Sequence, residues 1–208
     1  MNKNIFVACD TTNPNQVKKI ILASGSPRRK EYLERYQLTY EIIKPDIDET
    51  PIRGENPEVY ARRMAKEKVA SINGDLGKNE IALSADTIVV FKEKILGKPR
   101  SKEDAYQMLI LLNGQTHSVI TAYALLVKEQ NSLTVNAVCT KVTFNDLPKK
   151  LLRAYIDSEE PLDKAGSYSI QGDGTFLVNT INGSYNNVVG LPIEQVIQDF
   201  LKLNVITC

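Results

Sequence analysis

The run Leu22-Ala23-Ser24-Gly25-Ser26-Pro27-Arg28-Arg29 gathers groups that suit an anion. The apolar stretch from Ile20 to Ala23 stops at a Ser-Gly-Ser-Pro turn, where small residues let a ligand come close to the backbone. Pro27 fits the first turn of a helix, and Arg28 and Arg29 follow it at once. Hydroxyls, N–H groups at a helix start and fixed positive charge together favour phosphate, so Ser24, Arg28 and Arg29 are candidate ligands for it.

Three further side chains stand where apolar residues are expected. Helical spacing puts Ala61, Met64, Ala65 and Ile72 on one stripe, with Lys68 in its middle. That lysine either snorkels to water or carries its ammonium to an anion in a cleft. Arg29 shares a face with Tyr32, Leu33 and Tyr36, whereas Arg28 points away from it; a frayed, solvated end is the plain alternative. Asp86 is the one charge in the strand pattern Ile81–Phe91. A carboxylate there needs a cation, a metal or hydrogen bonds, which leaves a structural ion pair, a catalytic base or a metal ligand. Thr87 faces the other way and still reaches the rim.

Weaker signals lie in loops. Lys98, between Gly97 and Pro99, is either a presented ammonium or part of a surface turn. Asp46, Asp48 and Glu49 are a solvated acidic loop, or with Asp86 part of a hard-cation site. Gln171, before Gly172, is a structural amide or a reader of a pyrimidine edge. His117 is the lone histidine, and no G-x-S-x-G elbow exists to make it a hydrolase base.

The elements that must position these groups follow from caps and periodicity. Strands are expected at 20–23, 40–43, 81–91, 117–127 and 133–144, then near 175–181 and 184–189. Helices are expected from Pro27 to about Tyr36, from Asn56-Pro57 to Asn73-Gly74, from Ser101 to Asn113-Gly114, after Asp146 to about Ile156, and from Pro192 to about Leu203. Alternation first and hairpins later predict a mixed α/β sheet flanked by helices. Residues 1–18 read as an extension, and 19–208 as a single domain.

The bulk properties exclude several classes. The chain has 208 residues, 42% hydrophobic and 25% charged, with a net charge of +1. That balance gives no reason to expect a nucleic acid partner. No run has membrane-spanning length, and Ile5–Cys9 is too short for a signal core. Cys9, Cys139 and Cys208 are far apart and form no CxxC pair, which predicts buried or inert thiols in a reducing cytoplasm.

In their order, Leu22–Arg29, Ala85-Asp86-Thr87, Leu96–Pro99, Gly114–Thr121, Asp163–Gly166 with Ile170–Gly172, and Val189-Gly190-Leu191-Pro192 resemble the Maf family of nucleotide pyrophosphatases. The resemblance runs from about Ile20 to Leu203. It implies a long curved mixed sheet with a cleft between two lobes, similar to inosine triphosphate pyrophosphatases. It also implies hydrolysis of nucleoside triphosphates to monophosphate and pyrophosphate with a divalent metal. On that resemblance Asp86 falls on the proton acceptor, and Arg29, Thr87 and Gln171 fall on positions that separate substrate classes. Their combination is similar to the branch that takes dTTP and UTP, and a modified pyrimidine triphosphate would pass the same argument. Ser24, Glu49, Lys68 and Lys98 fall on further cleft positions. Glu49 and Asp86 would hold Mg²⁺, Mn²⁺ or Co²⁺, and Arg28, Arg29, Lys68 and Lys98 the triphosphate. A homodimer is implied only by analogy. A nucleotide-binding regulator of septum formation without turnover is the competing expectation. The chain departs from the family in Ser84, where glycine is usual, and in its leader of about 18 residues.

Overall fold

A computed structural model describes residues 7–8 and 19–207 of the chain. Cys9, Cys208, most of the segment Ile5–Cys9 and the polar stretch Thr11–Gln16 lie outside the described residues. The elements in chain order are β1 (Val7–Ala8), β2 (Lys19–Leu22), α1 (Pro27–Arg35), β3 (Tyr40–Ile42), α2 (Pro57–Ser71), β4 (Glu80–Phe91) and β5 (Lys94–Leu96). They continue with α3 (Lys102–Leu112), β6 (Thr116–Val127), β7 (Ser132–Phe144), α4 (Lys149–Asp157), β8 (Val178–Asn182), α5 (Tyr185–Val189), α6 (Ile193–Lys202) and β9 (Ile206–Thr207).

Seven strands form one mixed sheet in the order β3-β2-β4-β6-β7-β8, with β5 also paired to β4. β3, β2 and β4 run parallel, and β4, β6, β7 and β8 run antiparallel. β1 pairs separately with β9, Val7 opposite Thr207. The two-residue period of β4 sorts its side chains onto two apolar layers. Ile81, Leu83, Ala85 and Val89 pack with α1, α3, α4 and α6, while Ala82, Ile88 and Val90 pack with α2. The mixed α/β expectation holds.

Local chemistry explains the helix starts. The Asn56 side chain accepts from the Glu58 and Val59 amides at 2.9 and 3.4 Å, with Pro57 next. Ser101 caps α3 through the Asp104 amide at 3.1 Å. At α1, Ser26 occupies the cap position without a side-chain bond, so that helix begins uncapped.

Two expectations need correction in the last quarter of the sheet. The stretch near 175–181 begins as a 3₁₀ turn over Gly172–Leu177, and the strand starts only at Val178. Residues 184–189 are not a strand: Tyr185–Val189 is the short helix α5, because the Ser184 hydroxyl accepts from the Asn187 amide at 3.0 Å and Gly190 ends it at φ +121°. Cys139 is a free thiol exposed on β7, so of the two alternatives, buried or inert, it is not buried. No helix among the described residues is long and apolar enough to cross a membrane.

Candidate active site

β4 has a gap along one edge. β2 pairs with it only as far as Leu83, and β5 resumes at Val89, while β6 occupies the opposite edge from Ile81 to Val90. Ser84–Ile88 therefore faces neither β2 nor β5, and this stretch holds Asp86 and Thr87. The chain leaving β2 turns here through Ser24-Gly25-Ser26, where Ser24 Oγ accepts the Ser26 amide at 3.1 Å.

On the face covered by α2, Lys68 Nζ donates to Asp86 Oδ1 at 2.7 Å and lies 2.9 Å from Glu49 Oε1. The Lys68 and Asp86 side chains are nearly buried, whereas Glu49 is more than half exposed. The lysine in the apolar stripe thus meets two carboxylates instead of snorkelling to water. Tyr60 fixes the acidic loop by donating to the Glu49 carbonyl at 2.8 Å. Burial, and then the negative Asp86 and Glu49, push the Tyr60 hydroxyl up to about 12, so it remains a donor. Arg63 holds the same loop through the Thr50 carbonyl at 3.2 Å and Glu55 at 2.7 Å. Sequence reasoning missed Tyr60 and Arg63 because both look like ordinary residues of an amphipathic helix.

On the opposite face α1 delivers Arg29. Its Nε donates to the Gly190 carbonyl at 2.9 Å, one terminal nitrogen to Ser24 Oγ at 3.1 Å and the other to Thr87 Oγ1 at 3.2 Å. Among the described residues no carboxylate lies in contact with it. Burial pushes its pKa down, opposed by Asp86 and Glu49 and reinforced by Arg28. Thr87 Oγ1 also lies 2.9 Å from Thr121 Oγ1.

The remaining candidates are less tightly joined. Arg28 donates to Ser169 Oγ at 3.3 Å, and the same hydroxyl accepts the Gln171 amide at 3.2 Å. Arg28, Gln171, Glu31, Tyr32, Arg35 and Val189 line a small depression beside α1. Lys98 is exposed and makes no hydrogen bond or ion pair with the described residues, so the structure does not bring it onto this cluster. His117 is buried and paired with Tyr168 Oη at 2.8 Å. No group of three or more His, Cys, Asp or Glu side chains suited to a metal occurs among the described residues. A hard cation here would have Glu49 and Asp86 as protein donors, with Lys68 engaging one oxygen of each.

A dTTP/UTP pyrophosphatase of Nitratidesulfovibrio vulgaris is 44% identical over 91% of this chain and 90% of its own length. Proteins of the same name from Desulfotalea psychrophila and Bacillus cereus are 44% and 42% identical, each over 91% of this chain and 97% of their own. Among solved structures, a nucleoside-triphosphatase (dITP/XTP pyrophosphatase) of Mycobacterium abscessus aligns over 88% of this chain and 94% of its own, with 14% identity and a TM-score of 0.45. The family model described as Maf-like protein matches residues 19–203, across β2 to α6, and the chain belongs to the Maf family.

Proposed function

We propose that the chain hydrolyses dTTP and UTP, and modified pyrimidine triphosphates of similar shape, to monophosphate and pyrophosphate. The observation that carries this is Asp86, a nearly buried carboxylate held by Lys68 at 2.7 Å, one residue from the Thr87–Arg29 pair. The names of relatives that cover nine tenths of the chain support the substrate class.

Water attacks the α-phosphorus, a P–O bond forms, and the bond to the bridging oxygen of the β-phosphate breaks. Asp86 accepts the water proton. Lys68, Arg28 and the Ser24-Gly25-Ser26 turn neutralise and orient the triphosphate; Lys98, which lies off this cluster, is assigned to it by the family resemblance alone. Arg29, Thr87 and Gln171 select the base.

The donor set fits a divalent metal, Mg²⁺, Mn²⁺ or Co²⁺. Such ions are usually held by one or two carboxylates plus substrate phosphates, and Glu49 and Asp86 each have one oxygen not engaged by Lys68. Bound there, such an ion would lower the pKa of water and help neutralise the phosphate charge. The protein works in the cytoplasm, as a homodimer by family analogy.

Pyrophosphate release from a panel of canonical and modified triphosphates, with each of the three ions, tests the reading. Asp86→Asn is expected to lower turnover by about 10² or more. Near-full activity in that variant removes Asp86 from the chemistry, and binding without turnover in the wild type favours the regulator instead. Gln171→Ala is expected to weaken the preference for UTP over CTP, measured as a ratio of kcat/KM.

A further inference from the structure

Two segments that carry the family resemblance, Gly114–Thr121 and Val189–Pro192, have no role in the reaction outlined above. The structure joins them behind Thr87. Asn187, fully buried in α5, accepts the Thr121 amide on Oδ1 at 3.0 Å. Its Nδ2 donates to the Val119 carbonyl at 3.0 Å and to Thr140 Oγ1 at 2.9 Å. An amide held by one N–H donor and one carbonyl acceptor has a single sensible orientation. Asn187 therefore ties α5 to β6 and β7, and its own backbone carbonyl sits 2.8 Å from Thr121 Oγ1.

That contact fixes a chain of hydrogens. A carbonyl oxygen only accepts, so Thr121 must give its one hydroxyl hydrogen to Asn187. Thr121 Oγ1 and Thr87 Oγ1 are 2.9 Å apart, and two oxygens at that distance need a hydrogen between them. Thr121 has none left, so Thr87 supplies it. Thr87 then turns lone pairs toward Arg29, which only donates, at 3.2 Å. The competing acceptor, the Gly190 carbonyl, is farther from Thr87 at 3.4 Å and already receives Arg29 Nε. Gly190 itself sits at φ +121°, a conformation that favours glycine, with its carbonyl aimed at that arginine.

We propose that Thr121 and Asn187 are positioning residues that set the direction of the Thr87 hydroxyl, so that it meets a ligand as an acceptor only. Any base atom against Thr87 must then donate. Uracil and thymine carry an N–H at ring position 3, whereas cytosine presents a lone pair there. With ring position 3 of the base set against Thr87, as this proposal requires, the Asn187–Thr121–Thr87 chain disfavours cytosine without touching it. This deepens the dTTP/UTP reading and rests on it.

The test compares kcat and KM for UTP, CTP and N3-methyl-UTP in the wild type and in Thr121→Val, Thr121→Ala and Thr121→Ser. Thr121→Val removes the acceptor that occupies the Thr87 hydrogen, and Thr121→Ala does so without placing a methyl against Thr87. Both are expected to cut the UTP-over-CTP ratio of kcat/KM by about tenfold, the scale of one misdirected hydrogen bond, chiefly through KM. Thr121→Ser is expected to restore the ratio, which a merely structural role for the threonine methyl would not do. An unchanged ratio in folded Thr121→Val and Thr121→Ala overturns the proposal. So does wild-type turnover of N3-methyl-UTP as readily as UTP, a measurement that needs no variant to fold. A wild type that hydrolyses neither UTP nor dTTP refutes the pyrophosphatase reading itself; turnover with an unaltered ratio refutes only this inference.

Discussion

Two cations reach consecutive residues of β4 from opposite faces of the sheet, and the protein compensates them differently. Lys68 meets two carboxylates, Asp86 at 2.7 Å and Glu49 at 2.9 Å. Arg29 meets three neutral oxygens, those of Gly190, Ser24 and Thr87. The first is a charge cluster that nearly closes on itself, with one oxygen of each carboxylate not engaged by the lysine. The second is a charge held by dipoles, with its net positive field left for an anionic ligand. The proposed chemistry thus falls on the α2 face and the proposed positioning and selection on the α1 face.

The sharpest way to break that contrast is to remove each cation. Lys68→Met leaves Asp86 as a nearly buried carboxylate with no partner, and is expected to cost about 3–5 kcal/mol of stability. Arg29→Met leaves only neutral acceptors and is expected to cost less, about 1–3 kcal/mol. Urea unfolding of both variants reads the difference. In the double variant Lys68→Met with Asp86→Asn, part of the first loss is expected to return, because no buried lone charge remains. If Arg29→Met proves the more destabilising, the division of labour between the two faces is wrong.

The same two residues show what a sequence reveals. Lys68 was legible because one cation in an apolar helical stripe breaks a short-range pattern, and Asp86 because it breaks the pattern of a strand. Glu49 was ambiguous: an acidic loop residue shows its use only when the loop is seen folded back onto Tyr60 and Arg63. Arg29 was rightly turned inward, yet its partners Thr87 and Gly190 lie 58 and 161 residues away, beyond any local rule. Asn187 was missed for the same reason, since its contacts span 47 to 68 residues. The misread strand at 184–189 failed because Tyr185, Val188 and Val189 favour strands, while the Ser184 cap and the buried Asn187 impose a turn of helix.

A third buried titratable group, on the Arg29 side of the sheet, isolates what burial does without any charge partner. His117 is 2% exposed, packed edge-on against the Phe144 and Tyr168 rings, and Nδ1 has no hydrogen-bond partner among the described residues. Burial, with a smaller push from Lys141, lowers its pKa to about 4 from 6.5. Above pH 6.5 the ring is neutral in both folded and unfolded chains and has no effect. Below that the unfolded chain takes up a proton that the folded one refuses, so stability falls as pH drops from 6.5 to 4. At 1.36 kcal/mol per pH unit the loss approaches about 3 kcal/mol. His117→Gln keeps a polar group toward Tyr168 and does not titrate. Urea unfolding at pH 7 and pH 4 is expected to show a smaller acid loss in that variant, by about this amount. Equal losses in variant and wild type would mean that another group drives acid unfolding.

The smallest expected effect bears on how firmly the α2 face is built. Ser84, two residues before Asp86 on the same face of β4, donates to the Ala65 carbonyl at 2.5 Å. That carbonyl belongs to the helical ladder of α2, so losing the serine leaves it satisfied and the cost should be about 1 kcal/mol. Ser84→Ala is therefore expected to lower the unfolding midpoint slightly and to leave turnover within about twofold, as substitutions away from the reacting groups usually do. Ala65 precedes Lys68 by less than one turn, so this bond lies close to the lysine that reaches Asp86. A tenfold fall in turnover with the fold intact would show that the Lys68–Asp86 distance is imposed by the seating of α2 on β4, rather than by the ion pair finding its own geometry.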